Sequence, residues 1–243
     1  MDLDGDNKIA RLLADLEQAD KPALRQAVDA LIRFAAADPQ IGIILGELLN
    51  DASRKNRWPI AYILASLSSP AQSCVGVLVD ALDNQDPDIR WAVALLLARL
   101  AKTQRPILKS LIELASKGTA NQRRMAIYTL RDAGSSDDES IQTLVNSLRD
   151  PDPTVRVAAV MSLKRQPGLN EAGRNELLAR FSQDQDPRVR HTAAVTLAYL
   201  GISSEEFLNA LTKATASNNA QLKKAATMAL TILKNKRSAP SGS

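Results

Sequence analysis

The chain has 243 residues, of which 45% are hydrophobic and 24% are charged, as is typical of a folded globular protein. Its net charge of +4 is too small to indicate nucleic-acid binding by itself, and its single cysteine, Cys74, excludes a disulfide within the chain. No apolar run approaches the roughly 18 residues that a membrane-spanning helix needs, and residues 1–8 are not a secretory signal, so we expect a cytoplasmic protein.

A basic residue recurs at intervals of 32 to 34 residues along the chain. A small or aliphatic residue stands three positions after each basic residue, and an aliphatic residue stands seven positions after it. This spacing places all three residues on one side of a helix. A period this regular indicates one helical unit repeated seven times, the organisation of a solenoid. The basic residues are Arg25, Arg57, Arg90, Arg123, Arg156, Arg190 and Lys223.

The pattern predicts fourteen helices in seven antiparallel pairs, and no strand. The first helix of a pair carries an amphipathic stripe, and the second helix begins just before the periodic basic residue. Three of the second helices open with Asp-Pro-x-(Ile/Val)-Arg, in which the aspartate caps the helix and the proline fits its first turn. The first helices are predicted at residues 7–18, 39–50, 71–83, 104–116, 137–149, 170–182 and 203–216.

The domain organisation follows from the contiguous repeats. We expect a single solenoid over residues 7–234, because no linker interrupts the period. A flexible N-terminus over residues 1–6 and a disordered tail over residues 235–243, which ends in Ser-Ala-Pro-Ser-Gly-Ser, are expected to flank it.

A helix pair whose second helix opens with Asp-Pro-x-Val-Arg resembles the HEAT repeat, and the short period resembles that of the phycobilin-lyase-like HEAT repeats. The resemblance covers roughly residues 7–234 and implies an all-α solenoid, wound as a right-handed superhelix with the second helices on its concave side. It also implies that the periodic arginines form a structural ladder between repeats with Asp86, Asp152 and Asp186.

A common helical wheel, with the periodic basic residue at zero, separates two faces of the second helices. At about 100° per residue, positions +3, +7 and +10 form a buried stripe, whereas +1, +5 and +8 point away from it. Positions +1 and +5 hold both tryptophans, two of the three tyrosines and the only histidine. Trp, Tyr, Met and Arg dominate protein interfaces, so this face is the candidate partner-binding site. The candidates are Trp58, Tyr62, Trp91, Leu95, Arg124, Tyr128, Arg131, Met161, Lys164 and His191.

Interpretations of the same residues that involve no binding function stay open at this point. The aromatic side chains could pack along the ridge between adjacent second helices, and His191 alone is better explained as a surface residue. The basic residues of the face and the acidic turns between helices favour an acidic partner, but ordinary solvated helix faces would carry the same charges.

The leading functional interpretation is a monomeric, non-enzymatic scaffold or adaptor that holds a segment of another protein, with no cofactor and no metal. The family resemblance implies one alternative, a bilin lyase or chromophore chaperone, although no dedicated acid–base pair accompanies the aromatic face. A nucleic-acid backbone binder is the other alternative. Helical-repeat DNA glycosylases pair concave tryptophans with an aspartate, whereas Tyr62 and Leu95 stand four residues after Trp58 and Trp91. Nucleic acid is therefore a disfavoured partner, and no membrane contact is expected.

Overall fold

The computed structural model describes residues 3–17, 20–51, 54, 56–67, 72–166 and 169–238. Within these ranges all regular structure is helical, which confirms the predicted all-α solenoid of helix pairs. The helices are α1 (Leu3–Asp15), α2 (Lys21–Ala37), α3 (Pro39–Asn50), α4 (Trp58–Leu67), α5 (Gln72–Ala81), α6 (Pro87–Ala101), α7 (Arg105–Lys117), α8 (Ala120–Ala133), α9 (Asp138–Asn146), α10 (Pro153–Leu163), α11 (Glu171–Gln183), α12 (Pro187–Tyr199), α13 (Glu205–Thr215) and α14 (Ala220–Ser238).

The helices of the described residues fall into the seven predicted pairs, odd-numbered helices first and even-numbered helices second. A short 3-10 turn, Ser147–Arg149, continues α9 to the predicted end at residue 149. At both ends the helical structure reaches beyond the predicted limits of 7 and 234, because α1 begins at Leu3 and α14 ends at Ser238. The flexible N-terminus and the disordered tail stay predictions, and residues 239–243 lie outside the described residues.

The chain divides into two compact units, Met1–Ile107 and Leu108–Ser243. In the N-terminal unit α4 packs against α2, α3, α5 and α6. In the C-terminal unit α10 packs against α8 and α12, and α12 packs against α11 and α14. Second helices thus line up side by side within each unit, with their first helices behind them. The single solenoid and the right-handed superhelix stay predictions. Among the described helices, none combines the length and apolar character that crossing a bilayer requires.

The Asp-Pro sequences begin helices as predicted. Asp86, Asp152 and Asp186 each accept a hydrogen bond from the backbone N–H two residues later, and a proline occupies the first helical position. Asp38 caps the first helix α3 in the same way. Where the Asp-Pro pair is missing, α8 uses a capping box, in which Thr119 and a glutamine three residues later satisfy each other's backbone N–H groups.

The ladder between repeats uses other acids than the resemblance implied. Arg123 donates two hydrogen bonds of 2.7 Å to Asp150, and Arg156 donates bonds of 2.9 and 2.8 Å to Asp184. Each acid lies two residues before a capping aspartate. The capping aspartates beside them accept hydrogen bonds from the N–H groups of their own helices, and they can accept a basic side chain as well, as Asp86 does from Lys21 at 2.7 Å. For Arg123 and Arg156 the ladder partners are therefore Asp150 and Asp184, and not the capping aspartates Asp152 and Asp186 that the resemblance implied.

The buried part of the second helices is wider than the predicted stripe. Position +3 is buried in all seven helices, as predicted, whereas +7 is buried only in α6, α8, α10 and α12. Position +4 is also buried in α4, α6, α8, α10 and α12, and within the units α4 and α10 each pack between two other second helices. These +4 residues are Ala61, Ala94, Ile127, Val160 and Ala194.

Candidate functional site

In each of the two units, positions +1 and +5 of the second helices are accessible, and we call these residues the +1/+5 strip of that unit. None of the fourteen residues at these positions is buried. Position +1 holds Gln26, Trp58, Trp91, Arg124, Val157, His191 and Lys224, and position +5 holds Ala30, Tyr62, Leu95, Tyr128, Met161, Val195 and Met228. The structure thus keeps accessible the row that holds both tryptophans and the row that holds Tyr62 and Tyr128.

Position +8 does not belong to this face throughout. Ala65, Ala98 and Ala198 at +8 are buried. These residues are buried because position +8 lies only about 40° from the buried position +4 on a helical wheel. The +8 residues that are larger than alanine are not buried: Arg33, Lys164 and Thr231 are exposed, and Arg131 is half-buried. The prediction that +8 points into the open is therefore wrong where the residue is alanine.

Besides Gln26 and Ala30 on α2, the strip of the N-terminal unit carries two pairs of large side chains on neighbouring helices, and three of these four residues are aromatic. Trp58 is the first residue of α4, and its ring meets that of Tyr62 edge to face at a centroid distance of 6.5 Å and an interplanar angle of 83°. On α6, Trp91 is 40% exposed and Leu95 is 59% exposed. Because α4 packs against α6, the structure brings these four predicted residues onto one face of the unit.

In the C-terminal unit, two strip residues link neighbouring helices. The hydroxyl of Tyr128 on α8 donates to the Sδ atom of Met161 on α10 at 4.0 Å. The guanidinium carbon of Arg131 lies 4.9 Å from the centroid of the Tyr128 ring, a cation–π contact. Burial raises the pKa of the Tyr128 phenol, and the charges of Arg124 and Arg131 oppose that rise in part. The phenol therefore stays protonated and able to donate at neutral pH.

The C-terminal part of the face is less basic than the sequence indicates. Arg131 donates two hydrogen bonds, of 2.8 and 2.9 Å, to the carboxylate of Asp132, which offsets its charge. Arg165 lies 3.8 Å from the same carboxylate. Arg124 donates to the side-chain oxygen of Asn121 at 3.2 Å. Asp132 thus offsets the positive charge at Arg131, whereas Arg124 bonds to a neutral amide and keeps its charge.

The structure adds Tyr199, at position +9 of α12, to the neighbourhood of the predicted residues. The Nζ atom of Lys164 lies 3.3 Å from the centroid of the Tyr199 ring, which is on the adjacent second helix. Its place at +9, on the margin of the strip, is the only sequence signal for it. His191 is half-buried on the same helix, and among the described residues no group of three or more His, Cys, Asp or Glu side chains forms a metal site.

Solved structures share this fold at low sequence identity. A mutant of Kap121p is 14% identical with a TM-score of 0.65, and the match covers 93% of this chain and 29% of that one. Importin beta is 16% identical with a TM-score of 0.58, covering 94% and 34%. YibA of E. coli is 16% identical with a TM-score of 0.57, covering 93% and 92%. The chain thus spans about a third of the two longer proteins, and these likenesses show the fold alone.

No curated protein matches the sequence. The family model for HEAT repeats matches residues 44–131, 108–174 and 174–241, which together span most of the chain. These matches agree with the helix pairs, the Asp-Pro caps and the Arg–Asp ladder described above. The chain belongs to the HEAT-repeat family.

Proposed function

We propose that the chain is a protein-interaction scaffold that binds a segment of a partner protein along the +1/+5 strip. The observation that carries this proposal is where its exposed large hydrophobic side chains lie. Six are exposed among the described residues, and four of them occupy the strip. The six are Ile43, Trp91, Leu95, Met161, Tyr199 and Met228.

Trp91 and Leu95 are the strongest anchors in this set. They stand one helical turn apart on α6, so both side chains leave the helix on the same side. Trp58 and Tyr62 occupy the same two positions on α4, which packs beside α6. Clusters of aromatic and aliphatic side chains that are accessible on a rigid helical surface are typical of the centres of protein interfaces. An apolar side chain of a bound segment would pack on Trp91 and Leu95, with Trp58 and Tyr62 available on the neighbouring helix.

The charges on the strip favour polar or acidic neighbours of that apolar anchor. Neither position +1 nor position +5 carries an acidic residue in any repeat, whereas Arg124 and Lys224 at +1 are basic. Lys164 at +8 adds a further exposed cation. Electrostatic complementarity of this kind raises the association rate and selects partners more than it adds affinity. The lack of a strip carboxylate also supports a binding role over an acid–base enzyme.

A pull-down with matched variants tests the proposal. The tagged chain is incubated with an extract of its native cell as wild type, as Trp91→Ala/Leu95→Ala and as Ile43→Ala. Ile43 is the matched control because it is 55% exposed but lies on the first helix α3, away from the strip. We expect at least one protein to be retained by the wild type and by Ile43→Ala and lost with the strip variant. Equal recovery with all three chains would contradict the proposal.

The same experiment separates the two alternatives. If nuclease treatment abolishes recovery, the partner is held through nucleic acid, and the backbone-binding alternative replaces the proposal. If a bilin pigment binds the wild type and not the strip variant, and no protein does, the chromophore-chaperone alternative replaces it. A protein that is recovered after nuclease treatment, without pigment, supports the scaffold.

A further inference from the structure

We infer that a basic cavity in the C-terminal unit binds a phosphate monoester, either free in solution or carried on a side chain of a protein segment. The cavity has a volume of about 300 Å³, which lies at the lower end of the range found for small-molecule pockets. Four cationic side chains line it: Lys164, Arg165, Arg174 and Lys236. The inference does not depend on the proposed scaffold function.

Three separate parts of the chain bring these four cations together. Lys164 and Arg165 follow the end of α10, Arg174 lies on α11, and Lys236 lies near the end of α14. The cluster therefore is not a run of basic residues on one exposed helix face, which would be solvated and carry no information. The packing of three helix pairs creates it.

Among the described residues that line the cavity, none is an acid that could balance these charges. Asp132 lies 3.8 Å from Arg165, but its carboxylate already accepts two hydrogen bonds from Arg131. Cations that share one concave site repel each other and concentrate anions there, more strongly than the same charges on a flat surface. A doubly charged anion would relieve that repulsion, which favours a phosphate over a single carboxylate.

Two of the cations are held in place by the backbone. Lys236 donates to the carbonyl oxygen of Tyr199, and the Nε atom of Arg174 donates to the carbonyl oxygen of Leu169 at 2.9 Å. Capping of the C-terminal end of α12 explains the position of Lys236, since a helix C-terminus attracts positive charge. Helix capping does not explain why four cationic side chains meet in one cavity. A lysine ammonium has three N–H donors and an arginine has five, so both side chains keep donors beyond these bonds.

The remaining lining is apolar. It includes the buried Leu169, together with Ile202 and the ring of Tyr199. Lys164 stands over that ring at 3.3 Å from its centroid. Arginine forks bind phosphate oxygens in pairs, and an apolar wall beside them accommodates an organic group. The ligand that fits this combination is an ester of phosphate rather than the inorganic ion.

Isothermal titration calorimetry on the full chain tests the inference with three probes: phenyl phosphate, a short phosphoserine peptide and the same peptide without phosphate. The variant Lys164→Ala/Lys236→Ala removes two lining cations. Lys109→Ala/Lys213→Ala is the matched control, because it removes two exposed lysines that do not line the cavity and changes the net charge equally. Circular dichroism melting curves establish that both variants fold.

We expect the wild type and the control to bind a phosphorylated probe, and the cavity variant to bind it about tenfold or more weakly, since charge-assisted hydrogen bonds to the phosphate are lost. Tighter binding of the phosphopeptide would identify a protein segment as the source of the phosphate, and tighter binding of phenyl phosphate would identify a free small molecule. The inference is overturned if neither phosphorylated probe binds, if the unphosphorylated peptide binds equally well, or if the control loses as much affinity as the cavity variant.

Discussion

Arg156 on α10 donates two hydrogen bonds to the carboxylate of Asp184, in the turn before α12. A third bond from Arg156, of 2.8 Å, reaches the carbonyl oxygen of Asp150 in the turn before its own helix. The side chain of Asp184 is only 1% exposed. One arginine thus fastens two successive turns, and its partner acid is shielded from water.

We predict that Asp184→Ala lowers the free energy of unfolding by about 3–5 kcal/mol, because removing one partner of a buried ion pair leaves the other charge uncompensated. The backbone N–H of Asp186 also loses its acceptor. Urea unfolding measures the loss. Glu113→Ala is the control, since its pair with Lys117 is exposed and such pairs contribute little. Equal unfolding midpoints for the two variants would show that the ladder is not structural.

Leu130 and Leu95 offer a matched test of the helical wheel. Both are leucines on second helices, but Leu130 at +7 is 1% exposed, whereas Leu95 at +5 lies on the strip. Leu130→Ala is expected to cost about 2–5 kcal/mol, since it leaves a cavity. Leu95→Ala should change stability by about 0.5 kcal/mol or less, as surface substitutions do. Thermal melting compares them, and a silent Leu130→Ala would mean that the buried face is misassigned.

The capping residue Asp186 leads to a prediction about how the stability of the fold depends on pH. The side chain of Arg188 donates to its carboxylate, and with the hydrogen bonds from the helix backbone it lowers the pKa of Asp186 from 3.8 to about 2. A lowered pKa in the folded state stabilises the fold above the unfolded value, and that contribution is lost as the pH falls through the folded value. Asp186→Asn keeps a capping side chain but removes the charge.

We therefore expect Asp186→Asn to melt slightly below the wild type at neutral pH, with the gap closing as the pH falls from about 4 to 2. Melting curves followed by circular dichroism across this range check it. A gap that is unchanged at the lowest pH would show that the variant acts through the cap and not through the charge.

The repeat period, the Asp-Pro caps and the position +3 stripe were sufficient to predict the helix pairs, because each is a local property of the sequence. The ladder was not predictable in the same way. Asp184 and Asp186 stand in one turn with the same side chain, and only the backbone geometry decides that Asp186 caps its helix while Asp184 meets Arg156.

The accessible positions +1 and +5 of the candidate site could be predicted from the sequence, but its boundary at position +8 could not. Alanine at +8 is compatible with either side of a helix, and the packing of neighbouring second helices decides that Ala65 and Ala98 are buried. The contact of Lys236 with Tyr199 joins residues 37 apart in the chain, so no local pattern indicates the basic cavity. The accessibility of Trp91, in contrast, follows from its position +1 on the helical wheel.

The central claim is that the +1/+5 strip is the surface that meets a partner, and the two tryptophans of the chain both lie on it. In Trp58→Phe, Trp91 is the single indole, so its fluorescence can be followed while the protein recovered in the pull-down is added. The scaffold account predicts a blue shift of the emission and weaker quenching by acrylamide, since the exposed ring becomes covered. Unchanged emission and quenching at saturating partner would contradict it.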